Sequence, residues 1–358
     1  MPSARLLGSP EALAVRYDVA LLDLDGVVYI GPDEVTGASA ALAAARERGM
    51  RLAFVTNNAA RPPSAVAAHL SRLGVPAAAA EVITSAQAAA HYLADRLAPG
   101  SRVLVVGTTG LIDALTERGL VPVSSADEQP QAVVQGYSPD IDWRMLAEGA
   151  VAIRRGLLWV ATNLDATVPS ARGPLPGNGS LVAALRHATG ATPVSTGKPD
   201  PTMHRETVER SGAHRPLVVG DRLDTDIEGA NAVGCASLLV LTGVSSAADL
   251  LAAGSPYRPG YIARDLGGLL VSHPAPVAAE GALLCGGWSV VARERLHLSR
   301  EVSGAAGSGE DAESSSADAN GALDALRALC VAAWNSGLTD CVAEDRRAAS
   351  VLAEFGLG

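Results

Sequence analysis

The 358-residue sequence predicts an α/β protein that contains parallel sheets and more than one domain. Short apolar runs alternate with helical patterns up to about residue 270, and this alternation is typical of βαβ units. Hydrophobic residues make up 48% of the chain, which is enough for packed cores. After about residue 270 the pattern changes to a hairpin and a low-complexity segment, which indicates a small C-terminal extension.

The first strand is predicted over Tyr17–Leu24, where an apolar run leads into the turn signal Asp25-Gly26. Side chains two residues apart on a strand share a face, so Asp23 and Asp25 can address one pocket unless the chain has already turned. Carboxylates are the ligands that Mg²⁺ prefers. Taken alone, the pair fits a solvated turn equally well.

The second strand is predicted over Leu52–Val55, and it is followed by the small hydrogen-bonding residues Thr56, Asn57 and Asn58. Such side chains can bind phosphate oxygens where a strand ends, although a capped turn explains them as well. Helical patterns follow at residues 64–73 and 85–97.

The central part of the chain predicts a second parallel sheet. Residues 102–119 indicate strand, turn and helix, and a helix at 143–155 lies between strand patterns at 131–136 and 156–163. Residues 174–190 then indicate a glycine-rich turn that leads into a helix. We therefore expect an inserted α/β domain at 82–185 between two parts of a core, 1–81 and 186–270.

Two further segments carry charge next to predicted strands or turns. Lys198 stands between a glycine and a proline, and its alternative interpretation is a surface lysine on a turn. A third strand from Pro216 ends at Asp221, with Asp224 and Asp226 just beyond. Three acidic groups so close together repel one another, and a cation would relieve that repulsion.

The last domain is predicted over 271–358. Residues 281–296 contain two strand patterns around Gly286-Gly287, which is a two-residue hairpin signal. Residues 303–321 form a low-complexity, small and acidic segment that we interpret as a loop or linker. Two helical patterns complete the chain.

In this order, the motifs DLDG, TNN, GKPDP and GDRLDTD resemble those of the haloacid dehalogenase superfamily of phosphotransferases, over roughly residues 15–270. Too few residues separate the first two motifs for a domain, whereas a small domain fits between the second and the third. That spacing resembles the subfamily with an α/β (type IIA) cap, which includes phosphatases of p-nitrophenyl phosphate, nucleotide monophosphates, phosphoglycolate and glycerol phosphate.

The resemblance implies a fold and a substrate. The fold is a Rossmann-like parallel-sheet core with an inserted α/β cap and a small α+β C-terminal extension. The segments GDRLDTDIEGAN and LPGNGSLVAALR, together with the C-terminal extension, resemble the actinobacterial glycerol 3-phosphate phosphatase branch. The extension of that branch is similar to a fragment of an acetyltransferase. We therefore expect hydrolysis of glycerol 3-phosphate, with the other substrates named above as alternatives. No glycine-rich acetyl-CoA loop is found, so we expect no acetyltransferase activity.

The resemblance also implies the catalytic roles. Asp23 is the nucleophile that forms an aspartyl phosphate, and Asp25 is the general acid and base, which requires a raised pKa. Lys198 holds Asp23 and the phosphate together. The expected Mg²⁺ ligands are Asp23, Asp221 and the main-chain carbonyl of Asp25. Asp226 is expected to orient a metal-bound water, and Asp224 is a further candidate.

Substrate contacts are expected from two regions. Thr56, Asn57 and Asn58 should bind the phosphate oxygens. Specificity should come from the cap, where Asn163, Asp165 and Arg172 are the candidates, with a purely structural role on the surface as the alternative for each.

Composition limits the partners. The formal net charge of −10 disfavours binding to nucleic acid or to an anionic membrane. No apolar run approaches a membrane span and no signal peptide pattern is present, so we expect a cytoplasmic protein. The expected partner is a small phosphorylated metabolite. A homodimer is one possible oligomeric state.

Rival interpretations are a phosphomutase or dehalogenase of the same superfamily and, from another class, a phospho-acceptor signalling domain. A dehalogenase would not need Asp25, and such mutases usually carry their cap between the first two motifs. The C-terminal extension could also serve as an interaction module.

Overall fold

The computed structural model describes residues 6–168, 172–301 and 315–358, and all structural statements below concern these residues. The helices are α1 (Leu13–Arg16), α2 (Ala38–Glu47), α3 (Pro63–Arg72), α4 (Ser85–Ala94), α5 (Thr109–Glu117), α6 (Trp143–Arg154), α7 (Asn178–Thr189), α8 (Pro201–Ser211), α9 (Glu228–Val233), α10 (Ala247–Leu251), α11 (Ser315–Ser336) and α12 (Arg346–Glu354).

The strands are β1 (Val19–Leu22), β2 (Tyr29–Ile30), β3 (Asp33–Glu34), β4 (Arg51–Thr56), β5 (Val82–Thr84), β6 (Arg102–Val106), β7 (Val121–Val123), β8 (Ala132–Gln135), β9 (Leu158–Ala161), β10 (Thr167–Val168), β11 (Leu175–Pro176), β12 (Val194–Ser195), β13 (Pro216–Gly220), β14 (Ala236–Val240), β15 (Tyr261–Ala263), β16 (Val277–Ala279), β17 (Ala282–Cys285), β18 (Trp288–Ala292), β19 (Leu296–Arg300) and β20 (Cys341–Ala343). The strands and helices predicted up to residue 270 are confirmed, with ends that differ by a few residues.

The chain divides into two compact units, of which one comprises residues 21–34 and 52–214. This unit contains the predicted parallel sheet, in the order β12-β9-β8-β6-β7. Strand β6 is buried on both faces: Val103 and Val105 pack with α4 and α5, whereas Leu104 and Val106 pack with α6 and α7. Such a strand reads as a continuous apolar run because helices cover both faces.

Two strands of this unit pair with strands that lie on the other side of a predicted domain boundary. Strand β5, at the expected start of the cap, pairs in parallel with β4. Strand β12, expected in the core, pairs in parallel with β9 of the cap sheet. The division into core, cap and C-terminal domain stays a prediction.

The other unit comprises residues 1–20, 35–51 and 215–358. Strands β13, β14 and β15 pair in parallel in that order, as the Rossmann-like fold class requires. The loop after β13 continues into a single π-helical turn, Leu223–Ile227, before α9. Turns of this kind are often found at functional sites.

The C-terminal part of this unit is the predicted α+β extension. Its sheet has the order β16-β17-β18-β19-β20, and all neighbouring strands are antiparallel except β19 and β20. The predicted hairpin is confirmed: Gly286 and Gly287 join β17 to β18, both with positive φ (55° and 78°), as a two-residue turn requires.

The low-complexity segment differs in part from its predicted role. Residues 303–314 lie outside the described part of the chain, whereas 315–321 are the first turns of α11 and not a loop. Alanine in these turns favours a helix. No helix among the described residues is long and apolar enough to cross a bilayer.

Candidate active site

Lys198 and Asp23 form a close, largely buried ion pair. The Lys198 Nζ donates to Asp23 Oδ1 over 2.6 Å and to the Val55 carbonyl over 3.3 Å. The Lys198 side chain is 3% exposed and that of Asp23 13%, so little solvent screens the pair. Residues that lie 175 positions apart in the sequence therefore meet at one point, where β1 and β4 end.

Asn57 holds the backbone that carries Lys198. Its Oδ1 accepts from the Lys198 amide over 2.9 Å, and its Nδ2 donates to the Lys198 carbonyl over 3.1 Å. Gly197 makes this approach feasible, because a Cβ there would lie 2.2 Å from the Thr162 carbonyl oxygen. The predicted phosphate ligand Asn57 thus uses its amide to orient the lysine.

Asn163 and Asp165, predicted as substrate contacts, support Asn57. The Asn163 Nδ2 donates to the Asn57 carbonyl over 2.7 Å, and Asp165 Oδ2 accepts from Asn57 Nδ2 over 3.1 Å. Asn163 is 4% exposed, and its contact with substrate stays a prediction. Arg172 is exposed, and its substrate role stays a prediction.

Thr56 and Asn58 complete the end of β4. Thr56 is buried, and its Oγ1 accepts from the Asn58 amide over 3.1 Å. The exposed Asn58 uses its Oδ1 to accept from the Ala60 amide over 2.8 Å. These are the hydrogen bonds of a capped turn, which is the alternative interpretation given for both residues. Their binding to phosphate stays a prediction.

Asp25 borders a pocket of about 580 Å³ between the β2–β3 hairpin and α3. The carboxyl reaches solvent at the pocket, yet the surrounding protein raises its pKa through burial, against the opposing charges of Lys198 and Arg61. A raised pKa is the direction that a general acid requires. Burial likewise raises the pKa of the neighbouring Tyr29.

Asp221 and Asp226 lie in the other compact unit, and both are 1% exposed. Asp221 Oδ2 accepts from the Val244 amide over 2.7 Å, and Asp226 Oδ2 accepts from the Arg222 amide over 3.2 Å. A Cβ at Gly243 would lie 2.0 Å from Asp221 Oδ2, so glycine is needed there. Carboxylates this deeply buried require compensation of their charge.

Asp224 differs from these two aspartates. Both of its carboxylate oxygens accept from the Arg222 guanidinium, at 3.0 and 2.8 Å, and this hydrogen bonding lowers its pKa. Its side chain is 63% exposed. Asp224 is therefore a partner of Arg222 at the surface.

Comparison with known proteins identifies the family. The model of haloacid dehalogenase-like hydrolases matches residues 20–121, and an HAD-hydrolase-like model matches residues 195–269. The chain is 36% identical over 253 residues, 70% of this chain and 96% of the other, to an acid sugar phosphatase of Staphylococcus aureus. The chain belongs to the haloacid dehalogenase-like hydrolases.

Relatives within this hydrolase family include a D-glycerol 3-phosphate phosphatase of Mycobacterium tuberculosis, which is 53% identical over 256 residues, 72% of each chain. A crystal structure of a glycerol phosphate phosphatase from the same organism, in complex with magnesium, has a TM-score of 0.86 at 43% identity and covers 97% of this chain and 100% of that one. The expected fold class and the expected phosphoric monoester hydrolase are confirmed.

Several residues at or near this site were not predicted from the sequence. Ser85 Oγ donates to the Asn57 carbonyl over 2.6 Å, and Asn178 Nδ2 donates to the Asn163 carbonyl over 2.7 Å. Arg61 and His69 line the pocket beside Asp25. One available signal was that Lys198 is the only lysine among 28 basic residues, which marks this ammonium as special.

Proposed function

We propose that this hydrolase is a Mg²⁺-dependent phosphatase that cleaves small phosphomonoesters through an aspartyl phosphate on Asp23, with glycerol 3-phosphate as its substrate. The contact between Lys198 Nζ and Asp23 Oδ1 carries the proposal, because it places an ammonium where a dianionic phosphate must approach a carboxylate. The magnesium complex and the activity named for the mycobacterial relatives support the choice of metal and substrate.

Asp23 acts first. Its carboxylate oxygen attacks phosphorus, the bond from phosphorus to the leaving oxygen breaks, and Asp25 gives its proton to that oxygen. In the second half, Asp25 takes a proton from water, the water oxygen attacks phosphorus, and the bond to Asp23 breaks. The raised pKa of Asp25 suits both transfers, and Lys198 neutralises charge that builds up between Asp23 and the phosphate.

The proposed metal ligands are Asp23, the main-chain carbonyl of Asp25, Asp221 and Asp226. The residues fit Mg²⁺, because all the donors are oxygen atoms and the carboxylates of Asp221 and Asp226 are buried. When bound, the ion supplies positive charge to the phosphate oxygens. We propose that Asp226 would orient water beside the ion when it is bound.

We propose that Thr56, Asn57 and Asn58 turn donors toward phosphate when substrate binds. Asn163, Asp165 and Arg172 are proposed to contact the leaving group, and Asn163 also holds Asn57. We also propose that the protein acts in the cytoplasm as a homodimer without nucleic-acid partners. The net charge of −10 supports the last point, and light scattering tests the dimer.

The decisive experiment compares Asp23→Asn with the wild type and with Asp113→Asn, which removes an exposed carboxylate from α5. We expect Mg²⁺-dependent release of phosphate from glycerol 3-phosphate by the wild type and Asp113→Asn, and none by Asp23→Asn with an unchanged fold. Acid-quenched enzyme should carry phosphate on the peptide that contains Asp23. Normal turnover by Asp23→Asn would refute the mechanism.

Two further measurements test the substrate and the metal. A panel of kcat/KM values should favour glycerol 3-phosphate over p-nitrophenyl phosphate and nucleotide monophosphates, and a tenfold preference for a nucleotide would overturn that assignment. Calorimetric titration with Mg²⁺ should show binding to the wild type that Asp221→Asn weakens. Equal binding by both proteins would contradict the ligand assignment.

A further inference from the structure

The glycine-rich segment at the start of α7 contacts the loop that carries Asn163 and Asp165. Asn178 is 1% exposed, and its Nδ2 donates to the Asn163 carbonyl over 2.7 Å. The Gly179 amide donates to the Asp165 carbonyl over 2.8 Å. A Cβ at Gly179 would lie 2.2 Å from the Leu164 carbonyl oxygen, so glycine is needed for this approach. The start of α7 therefore fixes the main chain of this loop.

The two polar side chains of the loop both reach Asn57. Asn163 Nδ2 donates to the Asn57 carbonyl over 2.7 Å, and Asp165 Oδ2 accepts from Asn57 Nδ2 over 3.1 Å. Asn57 holds Lys198 in turn, because its Oδ1 accepts from the Lys198 amide and its Nδ2 donates to the Lys198 carbonyl. Two routes of hydrogen bonds thus lead from α7 to the lysine whose Nζ lies 2.6 Å from Asp23 Oδ1.

Burial makes the amide donor of Asn178 hard to replace. The Oδ1 of Asn178 has no hydrogen-bond partner among the residues that the structure describes, so Nδ2 is the atom that the protein uses. The Asn163 carbonyl can only accept, and a buried acceptor that loses its donor is destabilised. Every residue on the two routes lies in the compact unit of residues 21–34 and 52–214, so a shift of the loop can reach Lys198 within that unit.

We propose that Asn178 is a positioning residue for the reaction, which fixes Lys198 against Asp23 through Asn163 and Asn57. This inference rests on the proposed function, and it assigns a role in turnover to a residue that reaches the ammonium only through other residues. A small misplacement of a catalytic group lowers the rate strongly. Loss of the Asn178 amide should therefore lower turnover by moving the Lys198 ammonium.

The kinetic test removes the amide donor in two ways, as Asn178→Ala and as Asn178→Ser, whose hydroxyl can still bind water. We expect each variant to fold and to lower kcat/KM for glycerol 3-phosphate by about tenfold. Asn231→Ala is the matched control, because Asn231 Nδ2 also donates to main-chain carbonyls, those of Pro256 and Arg258, but in the other compact unit. This control should leave kcat/KM unchanged.

A double variant shows whether Asn178 acts through the lysine. In a Lys198→Met background, Asn178→Ala should lower kcat/KM further by less than about twofold, because residues that act through one group are not additive. A merely structural role would give the same loss in both backgrounds.

Nuclear magnetic resonance supplies a measurement that needs no turnover. Lys198 is the only lysine of the chain, so protein with isotope-labelled lysine gives one set of side-chain signals, which reports on this ammonium. Both Asn178 variants should change the chemical shifts or the linewidths of these signals, whereas Asn231→Ala should not.

Wild-type kcat/KM in both Asn178 variants would overturn the positioning role. Unchanged lysine signals in both variants, or an equally large loss in the Lys198→Met background, would overturn it too. A wild type that hydrolyses no phosphomonoester would instead refute the proposed function, and the lysine signals would still decide whether Asn178 fixes Lys198.

Discussion

The ammonium of Lys198 lies 2.6 Å from the carboxylate oxygen of Asp23, and this pair is the centre of the site. All other basic residues of the chain are arginines, apart from the histidines. A compact ammonium fits between a carboxylate and a phosphate, whereas a planar guanidinium needs more room.

We therefore expect both Lys198→Met and Lys198→Arg to lower kcat/KM by at least about a hundredfold. Lys198→Met should also lower the free energy of unfolding by about 3–5 kcal/mol, because it removes one member of a largely buried ion pair. Steady-state kinetics and denaturant unfolding measure the two effects. Full activity in Lys198→Arg would show that any cation suffices.

Gly197 should be as sensitive as the residues that do chemistry. In Gly197→Ala, the new Cβ would meet the Thr162 carbonyl oxygen and Asn57 Oδ1 at 2.2 and 2.8 Å, so the Lys198 loop must move. We expect kcat/KM to fall by at least about tenfold, since small misplacements of catalytic groups are costly. Gly254→Ala is the matched control, because its Cβ would meet no atom closer than 3.9 Å. Equal kinetics for the two variants would contradict the role of the loop.

Asp25 should give a distinctive dependence on pH. Because burial raises its pKa in the folded state, its contribution to stability is complete below the unfolded pKa and is lost as pH rises through the folded pKa. Asp25→Asn should therefore raise Tm more at pH 8 than at pH 4.5. The variant should also lose most of its activity, and its residual kcat/KM should not show the decline at alkaline pH that the wild type shows. Thermal unfolding at both pH values measures this, and a Tm gain that does not depend on pH would count against it.

His204 on α8 is a buried neutral histidine. It is 1% exposed, its ring nitrogens have no hydrogen-bond partner among the described residues, and burial, with Lys198, lowers its pKa to about 3. Its contribution to stability is present above pH 6.5 and is lost as pH falls toward 3. Between pH 7 and pH 5 the free energy of unfolding should fall by about 2 kcal/mol less in His204→Phe than in the wild type. The exposed His187→Phe serves as control, and identical pH profiles would disprove this role of His204.

The C-terminal extension should be essential for stability. Helix α11 packs its buried face, including Leu326 and Leu329, in one cluster with Leu250 of α10, and Trp334 Nε1 donates to the Leu250 carbonyl over 2.9 Å. Leu326→Ala should cost about 2–5 kcal/mol, whereas Val277→Ala, at a side chain 61% exposed, should cost less than about 0.5 kcal/mol.

Truncation near residue 275 should expose this cluster and cause aggregation, as size-exclusion chromatography would show. A monodisperse, active truncated protein would show that the extension is a separable module.

Much of the fold could be predicted from the sequence because its signals are local. Apolar runs such as 102–106 and the glycine pair at 286–287 depend on neighbours along the chain, and the structure confirms both. Asp23, Asp25 and Lys198 were identified because each stands at the end of a strand or in a rigid turn. The sequence pattern assigns residues up to 321 to a linker, whereas α11 begins at Ser315, because composition alone does not separate a polar linker from the first turns of a helix.

The sequence by itself determined the order of the main strands and helices and the family, and it supplied the candidate catalytic carboxylates. Tertiary structure alone decided which distant groups meet: Lys198 on Asp23, Asn163 on Asn57, and Arg61 and Arg72 around one pocket beside Asp25. The physical reason is that backbone preferences act over a few residues, whereas charge pairing, burial and pocket shape depend on how strand ends and helices pack together.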